Sequence, residues 1–322
     1  MKRCLVVPIF LLTACFPYFK QIEKDKQTFL DRFPNAHMYY ESGGRRMHYV
    51  RAGQGRDLIV FVHGSPGSWD AFARFLMNES LLSRARVISF DRPGFGESGN
   101  GTAELSLERQ AALIAEGVRL EQSGPAVRPG RIQPVSTGRV ILVGHSFGGP
   151  VIARMAMDRP LSYHALVFVA ASVDPDLETV HWYQKAGNTG VVRFFLPAML
   201  DVTNQEILPL RSELLAMIPL WQNIKSRSYV IQGGRDDLVP PGNADFLEKN
   251  LRQVPLTVVR DPAMDHFVPW AHPDLIEAAL LDALAHSRRA HGLPAVSIDW
   301  GVFAQVGLAA QNANRAQRLE LR

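Results

Sequence analysis

The sequence predicts an α/β protein built on a mostly parallel, twisted sheet with helices on both faces. Short runs of apolar, often β-branched residues recur at 58–62, 87–90, 140–143, 166–169, 229–231 and 256–259, with segments of helical length between them. None alternates strictly with polar residues, so these strands are buried on both faces, which is the condition of a parallel sheet. A chain of 322 residues with 47% hydrophobic and 20% charged content supplies a full core.

Along the chain, Met1-Lys2-Arg3 is a positive start, and the apolar run at 5–12 is too short to span a bilayer as a helix. The tetrad Leu12-Thr13-Ala14-Cys15 resembles the lipobox of bacterial lipoproteins. That resemblance implies that residues 1–14 are a signal peptide removed on export, and that Cys15 is lipidated, holding the protein to a membrane of the bacterial envelope through its anchor only. An ordinary secretory signal and a buried apolar N-terminus are the alternatives. Both cysteines, Cys4 and Cys15, fall here, so a disulfide framework is excluded. Losing Lys2 and Arg3 lowers the formal charge from +4 to about +2, a balance that implies no nucleic-acid partner.

Residues 15–35, charged from Lys20 to Arg32, are expected to be a tether or short helix. His37-Met38-Tyr39-Tyr40 and Met47-His48-Tyr49-Val50 alternate around Ser42-Gly43-Gly44 and predict a β-hairpin. The core is assigned to 36–172 and 225–285. Residues 122–138, rich in Pro, Gly and Arg, predict a surface loop. Residues 173–224 carry Trp182, Phe194, Phe195, Met199, Leu214, Met217 and Trp221 in helix-like stretches between the sixth and seventh strand runs, where a small helical cap is expected.

The chemistry centres on Val140-Ile141-Leu142-Val143-Gly144-His145-Ser146-Phe147-Gly148-Gly149, a buried strand running into GxSxG and then a helix. This is a nucleophile elbow, whose glycines permit the close crossing of strand and helix and whose serine sits on the strained turn. A serine hydroxyl needs a base within hydrogen-bond reach and a third group to orient that base. Elbow enzymes place these in the order serine, acid, histidine. Val230-Ile231-Gln232-Gly233-Gly234-Arg235-Asp236-Asp237-Leu238-Val239-Pro240 offers Asp236 as the acid, with Asp237 as the adjacent alternative. Asp261-Pro262-Ala263-Met264-Asp265-His266 offers His266 as the base. Of the other histidines, His37, His48, His164 and His181 are expected to be strand or surface residues, and His272, before Pro273, a turn or cap residue.

After the 58–62 run, His63-Gly64-Ser65-Pro66-Gly67 resembles the HGxPG loop, and Asp91-Arg92-Pro93-Gly94-Phe95-Gly96-Glu97-Ser98 the DxxGxGxS turn, of the α/β-hydrolase superfamily. With the elbow and the acid and histidine motifs, the resemblance covers residues 38–275. It implies the α/β-hydrolase fold, an oxyanion hole from the backbone N–H groups of Ser65 and Phe147, structural roles for His63 and the Ser65 hydroxyl, and loop-holding roles for Asp91 and Arg92. The activity implied is hydrolysis of a small-molecule ester or related acyl substrate without cofactor or metal. Amide, lactone or carbon–carbon cleavage uses the same residues, and a non-catalytic binding protein on the same scaffold is the reading from another class. Serine at the elbow disfavours the haloalkane dehalogenases and epoxide hydrolases, which carry Asp there. Oligomeric state is not legible.

Residues 286–322 depart from that pattern. Together with the helix before them they resemble the end of a polyketide synthase ketoreductase domain, ahead of Trp300-Gly301, yet Asp274 and Ala278 stand where that family has its catalytic Tyr and Asn. No Rossmann GxGxxG precedes them, so reductase activity is not expected. A lone strand there cannot bury its apolar face, and loose packing is expected past residue 290.

Overall fold

A computed structural model describes residues 7–123 and 138–290, with side chains described for 18–123, 138–182 and 184–287. Helix α1 (Val7–Arg32) leads into strands β1 (His37–Ser42), β2 (Arg45–Ala52) and β3 (Asp57–Val62), then α2 (Glu79–Leu82), β4 (Ala85–Phe90), α3 (Leu107–Ser123) and β5 (Val140–His145). The chain continues with α4 (Gly148–Asp158), β6 (Ala165–Val169), the helices α5 (Trp182–Gly187), α6 (Gly190–Phe195) and α7 (Ala198–Met217), and β7 (Arg227–Gly233). Helix α8 (Gly242–Asn250), β8 (Leu256–Asp261), α9 (Val268–Ala271) and α10 (Pro273–Ala290) complete it.

One eight-stranded sheet has the order β1-β2-β4-β3-β5-β6-β7-β8. The β1–β2 and β2–β4 pairs are antiparallel, and every pair from β4 to β8 is parallel. This is the α/β-hydrolase fold. Each central strand feeds two cores: Leu58, Val60 and Val62 of β3 and Val140 and Leu142 of β5 join one, while Ile59 and Phe61, and Ile141 and Val143, join the other. Full burial of each such side chain contributes roughly 1.5–3 kcal/mol, which is why these runs carry no polar alternation. The first core is closed by Leu107, Ile114, Val151, Met155, Leu210 and Trp221; the second by Phe29, Phe72, Phe75, Ile276, Leu280 and Leu284.

Where a tether or short helix was expected, the chain is a helix that docks on the core. Phe29 of α1 is fully buried against Trp69 (ring centroids 5.2 Å), Lys26 lies 3.4 Å from Asp70, and Arg32 pairs with Glu79. The sequence hid this docking because the charged run from Lys20 to Asp31 interrupts the aromatic residues and leaves no clear helical apolar stripe. Cys15 falls within α1, and its side chain lies outside the described residues, as do residues 1–6 of the expected signal. Among the described residues no helix is long and apolar enough to cross a membrane. The expected surface loop at 122–138 begins later, since α3 runs to Ser123, and 124–137 lie outside the described residues. So do residues 291–322 of the ketoreductase-like segment, whose start is the end of α10.

Between β6 and β7, α7 buries Val202, Glu206, Leu210, Leu214 and Met217, a stripe at helical spacing with one acid in it. Helix α6 buries nothing and leaves Val191, Phe194 and Phe195 exposed.

Candidate active site

Strand β5 ends at His145, and Ser146 turns the chain into α4 with φ of 53°, a left-handed conformation that costs energy outside glycine. The strain is held by Ser146 N–H on the Val169 carbonyl (3.0 Å) and by the amides of Gly149 and Ser172 on the Ser146 carbonyl (2.9 and 3.2 Å). A Cβ on Gly148 would lie 2.1 Å from the Val62 oxygen, and one on Gly144 2.4 Å from the Gly148 oxygen, so neither position admits a side chain.

Two loops at the carboxyl edge of the sheet bring Asp236, after β7, and His266, after β8, together. His266 Nδ1 donates to Asp236 Oδ2 at 2.8 Å, and both residues are buried. Asp236 also accepts from the amides of Leu238 (3.0 Å) and Val239 (2.7 Å) and from Gln232 Nε2 (3.3 Å), which fixes the carboxylate. With its Nδ1 proton on Asp236, the imidazole keeps Nε2 as an acceptor. Asp237 is exposed and takes no part in this contact. His145 Nε2 donates to the His266 carbonyl (3.1 Å), and the two rings lie 4.7 Å apart. Burial, with the charge of His266 second, holds His145 well below the usual histidine range, so it is neutral. The Ser146 hydroxyl makes no hydrogen bond to His266 among the described residues; in the absence of substrate such bonds are commonly long or unformed.

The loop after β3 packs against the nucleophile: a Cβ on Gly64 would come within 2.8 Å of Ser146 Cβ. The amide N–H groups of Ser65 and Phe147 have no protein acceptor among the described residues, leaving two donors beside Ser146. Arg92, fully buried, positions both. Its guanidinium donates to the carbonyls of His63 (2.9 Å) and Gly64 (3.0 Å), and lies 4.5 Å from the Phe147 ring centroid. Glu206 of α7 answers it with two hydrogen bonds of 2.8 Å, and also accepts from the Ser65 hydroxyl. Gln110 of α3 accepts from Arg92 at 2.9 Å. His63 donates from Nδ1 to the Gly64 carbonyl (2.7 Å) and accepts the Arg92 amide on Nε2 (2.9 Å); burial, then the Arg92 charge, pushes it well below its ordinary pKa. Sequence reasoning missed Glu206 and Gln110. The signal for Glu206 was present as the one acid in the apolar stripe of α7.

A profile described as "Alpha/beta hydrolase family" matches residues 59–279. The chain belongs to the α/β-hydrolase family. This α/β hydrolase is 31% identical over 126 residues to the dihydrolipoyllysine-residue acetyltransferase component of an acetoin cleaving system from Cupriavidus necator, spanning 39% of this chain and 29% of that one. It is 29% identical over 126 residues to a 2-hydroxy-6-oxononadienedioate/2-hydroxy-6-oxononatrienedioate hydrolase from Burkholderia vietnamiensis, spanning 38% of this chain and 39% of that one. The match thus spans well under half of either relative. A hydrolase of the same description from Escherichia coli is 20% identical over 75% of this chain and 92% of its own. Among solved structures, a hydrolase from Pseudomonas aeruginosa superposes with a TM-score of 0.56 at 20% identity, covering 78% of this chain and 98% of that chain, a likeness of fold.

Two predictions rest on buried and half-buried ionisable groups. His63 and His145 stay neutral in the folded enzyme, and His164 is held at about 4, by burial first and then by Arg139. Once unfolded, all three protonate near their ordinary pKa of about 6.5. Below that pH the unfolded chain therefore binds more protons, so stability is full above about pH 6.5 and falls as the pH drops toward 4. Urea midpoints will be lower at pH 5 than at pH 7.5, and His164→Gln will narrow the gap. Glu206→Ala strands the Arg92 guanidinium in a dry site and will destabilise by ~3–5 kcal/mol, whereas the paired change of Arg92 and Glu206 to Met will recover most of that loss in the same denaturation experiment.

Proposed function

We propose that this hydrolase is a serine esterase acting on a carboxylic ester with a modest apolar acyl or alcohol portion, through an acyl-enzyme. The observation that carries this reading is the buried 2.8 Å contact between His266 and Asp236, at the sheet edge where Ser146 occupies its strained turn. In the proposed mechanism Ser146 Oγ attacks the ester carbonyl while His266 Nε2 takes its proton, and Asp236 orients and stabilises the imidazolium. The amides of Ser65 and Phe147 donate to the oxyanion, each worth roughly 3 kcal/mol. His266 then protonates the departing alcohol, and a water activated by the same nitrogen releases the acyl group. A neutral His145 matters here, since a second cation 4.7 Å away would oppose the imidazolium. Helices α5–α7 act as the cap.

A second reading is carbon–carbon bond hydrolysis, because several relatives are named as hydrolases of 2-hydroxy-6-oxononadienedioate. The name describes a dianion, which needs cationic partners. Arg92, the buried cation beside the oxyanion loop, is already matched by Glu206, and this favours a neutral ester. Amides and lactones call on the same residues, and a substrate panel separates them.

We also propose export and lipid attachment at Cys15. The Tyr18 ring stacks on Phe267 at 4.9 Å, one residue from His266, so an anchor three residues before Tyr18 would hold the mouth of the site close to the bilayer. Exposed Val191, Phe194 and Phe195 on α6 accord with an apolar surface nearby.

Ser146→Ala will abolish turnover of short p-nitrophenyl esters with the fold intact by circular dichroism; undiminished turnover would remove Ser146 from the mechanism. Asp236→Asn will lower kcat by ~10⁴-fold, by analogy with removal of the orienting acid in other triads, while Asp237→Asn leaves it within a few-fold. In cell fractionation, Cys15→Ser will move the enzyme from the membrane to the soluble fraction, and continued sedimentation with membranes would count against the anchor.

A further inference from the structure

Away from the active site, at the antiparallel edge of the sheet, three side chains from three elements meet. His37 opens β1, His48 sits in β2 on the neighbouring strand, and Glu97 lies in the turn that follows β4. His37 Nδ1 is 2.9 Å from His48 Nε2 and 3.6 Å from Glu97 Oε1, and one ligand atom from each of the three falls within 4.8 Å of the others. We propose that this cluster is a binding site for a divalent transition metal ion of the zinc type, unconnected with the hydrolytic centre.

The argument rests on what holds the far side of each ligand. Asp91 accepts from His48 Nδ1 at 2.7 Å in a fully buried contact. That carboxylate also takes the amides of Trp69 (2.8 Å) and Glu97 (2.8 Å), so it is fixed as an acceptor and fixes the His48 proton on Nδ1. His48 Nε2 therefore presents a lone pair outward, toward His37 and Glu97. Tyr39 donates to Glu97 Oε2 at 2.6 Å, leaving Oε1 for the cluster. A carboxylate behind a histidine and a hydrogen bond on the outer oxygen of a carboxylate are the supports that metal ligands ordinarily have. Two imidazole nitrogens and one carboxylate oxygen match zinc-type ions and not Ca²⁺ or Mg²⁺, which take oxygen ligands. Ligands at ~2.0–2.2 Å from a tetrahedral ion lie ~3.3–3.6 Å from one another, inside the observed spread. Glu97 and His37 are 51% and 29% exposed at their side chains, which leaves water access to the fourth position. On binding, neutral His37 takes the tautomer with its proton on Nε2, so that His37 Nδ1 and His48 Nε2 both present lone pairs to the metal and no proton is released.

The test uses the full chain freed of metal by chelation and dialysed. Isothermal titration with Zn²⁺ is expected to show one saturable equivalent that His37→Ala and Glu97→Gln each weaken at least ~10-fold, with Tyr39→Phe weakening it by about 10-fold through the outer oxygen. Co²⁺ added to the unmodified chain is expected to give the strong visible absorption of a tetrahedral site, absent in the His37→Ala/Glu97→Gln double variant. Both side chains are partly exposed at a sheet edge, and unchanged p-nitrophenyl ester turnover verifies that the variants are folded. If Zn²⁺ gives no saturable equivalent, or binds the double variant as tightly as the unmodified chain, the cluster is a hydrogen-bonded chain that shares a proton and the proposal is overturned.

Discussion

The first turn of α4 lies directly on the end of β3, with the Gly148 backbone so close to the Val62 carbonyl that no side chain fits between them. This approach fixes where the turn between β5 and α4 can run, and hence where Ser146 is. Because β3, β5, β6, β7 and β8 are parallel neighbours, their carboxyl ends share one edge. The loop after β3 then flanks Ser146 on one side with the Ser65 amide. Beyond β6, on the other side, the loops after β7 and β8 deliver Asp236 and His266. A displacement of the helix would move all of these relative to the serine at once, which accounts for the strain at φ of 53° being tied down by three backbone hydrogen bonds.

Arg92 performs the corresponding task for the oxyanion loop, and it does so by drawing in α7. A buried ion pair gains Coulomb energy in a dry site but loses hydration, and the balance is often near zero. Its value here is geometric: five guanidinium hydrogen bonds, two of them to Glu206, orient the carbonyls of His63 and Gly64, the two residues just before Ser65. Glu206 in turn accepts from the Ser65 hydroxyl, and Thr203, one turn earlier, lies 3.2 Å from it. Helix α7 is therefore part of the site wall. Any opening that keeps the Arg92 pair intact has to come from α5 and α6, and α6 buries no side chain that would resist it.

What was legible in the sequence had local or strictly periodic causes. Apolar runs marked the six parallel strands to within about two residues, because burial on both faces leaves no room for polar positions. The glycines around Ser146 were legible because steric contact at backbone distance admits nothing else. Between two adjacent aspartates the motif favoured Asp236 over Asp237, and the turn after β7 is the physical reason that Asp236 faces His266. That turn exposes Asp237 and folds Asp236 back onto the amides of Leu238 and Val239. The docking of α1 through Phe29 and the reach of Glu206 to Arg92 were invisible. Each rests on one side chain meeting a partner 40 or more positions away, and no spacing rule encodes that.

The histidines at the sheet edge belong to the same class. His37 and His48 are 11 positions apart and Glu97 is 49 further on, a spacing unlike any metal motif, and the sequence assigned no metal. A hairpin register pairing His37 with Val50 and Tyr39 with His48 brings the two rings to one face, and the tight turn after β4 swings Glu97 over them. The consecutive residues Asp91 and Arg92 then point in opposite directions, Asp91 toward the hairpin cluster and Arg92 toward the oxyanion loop. A cation held by His37, His48 and Glu97 clamps the hairpin to the turn that Asp91 organises. The clamp is local to the hairpin edge and contributes no group to the reaction itself.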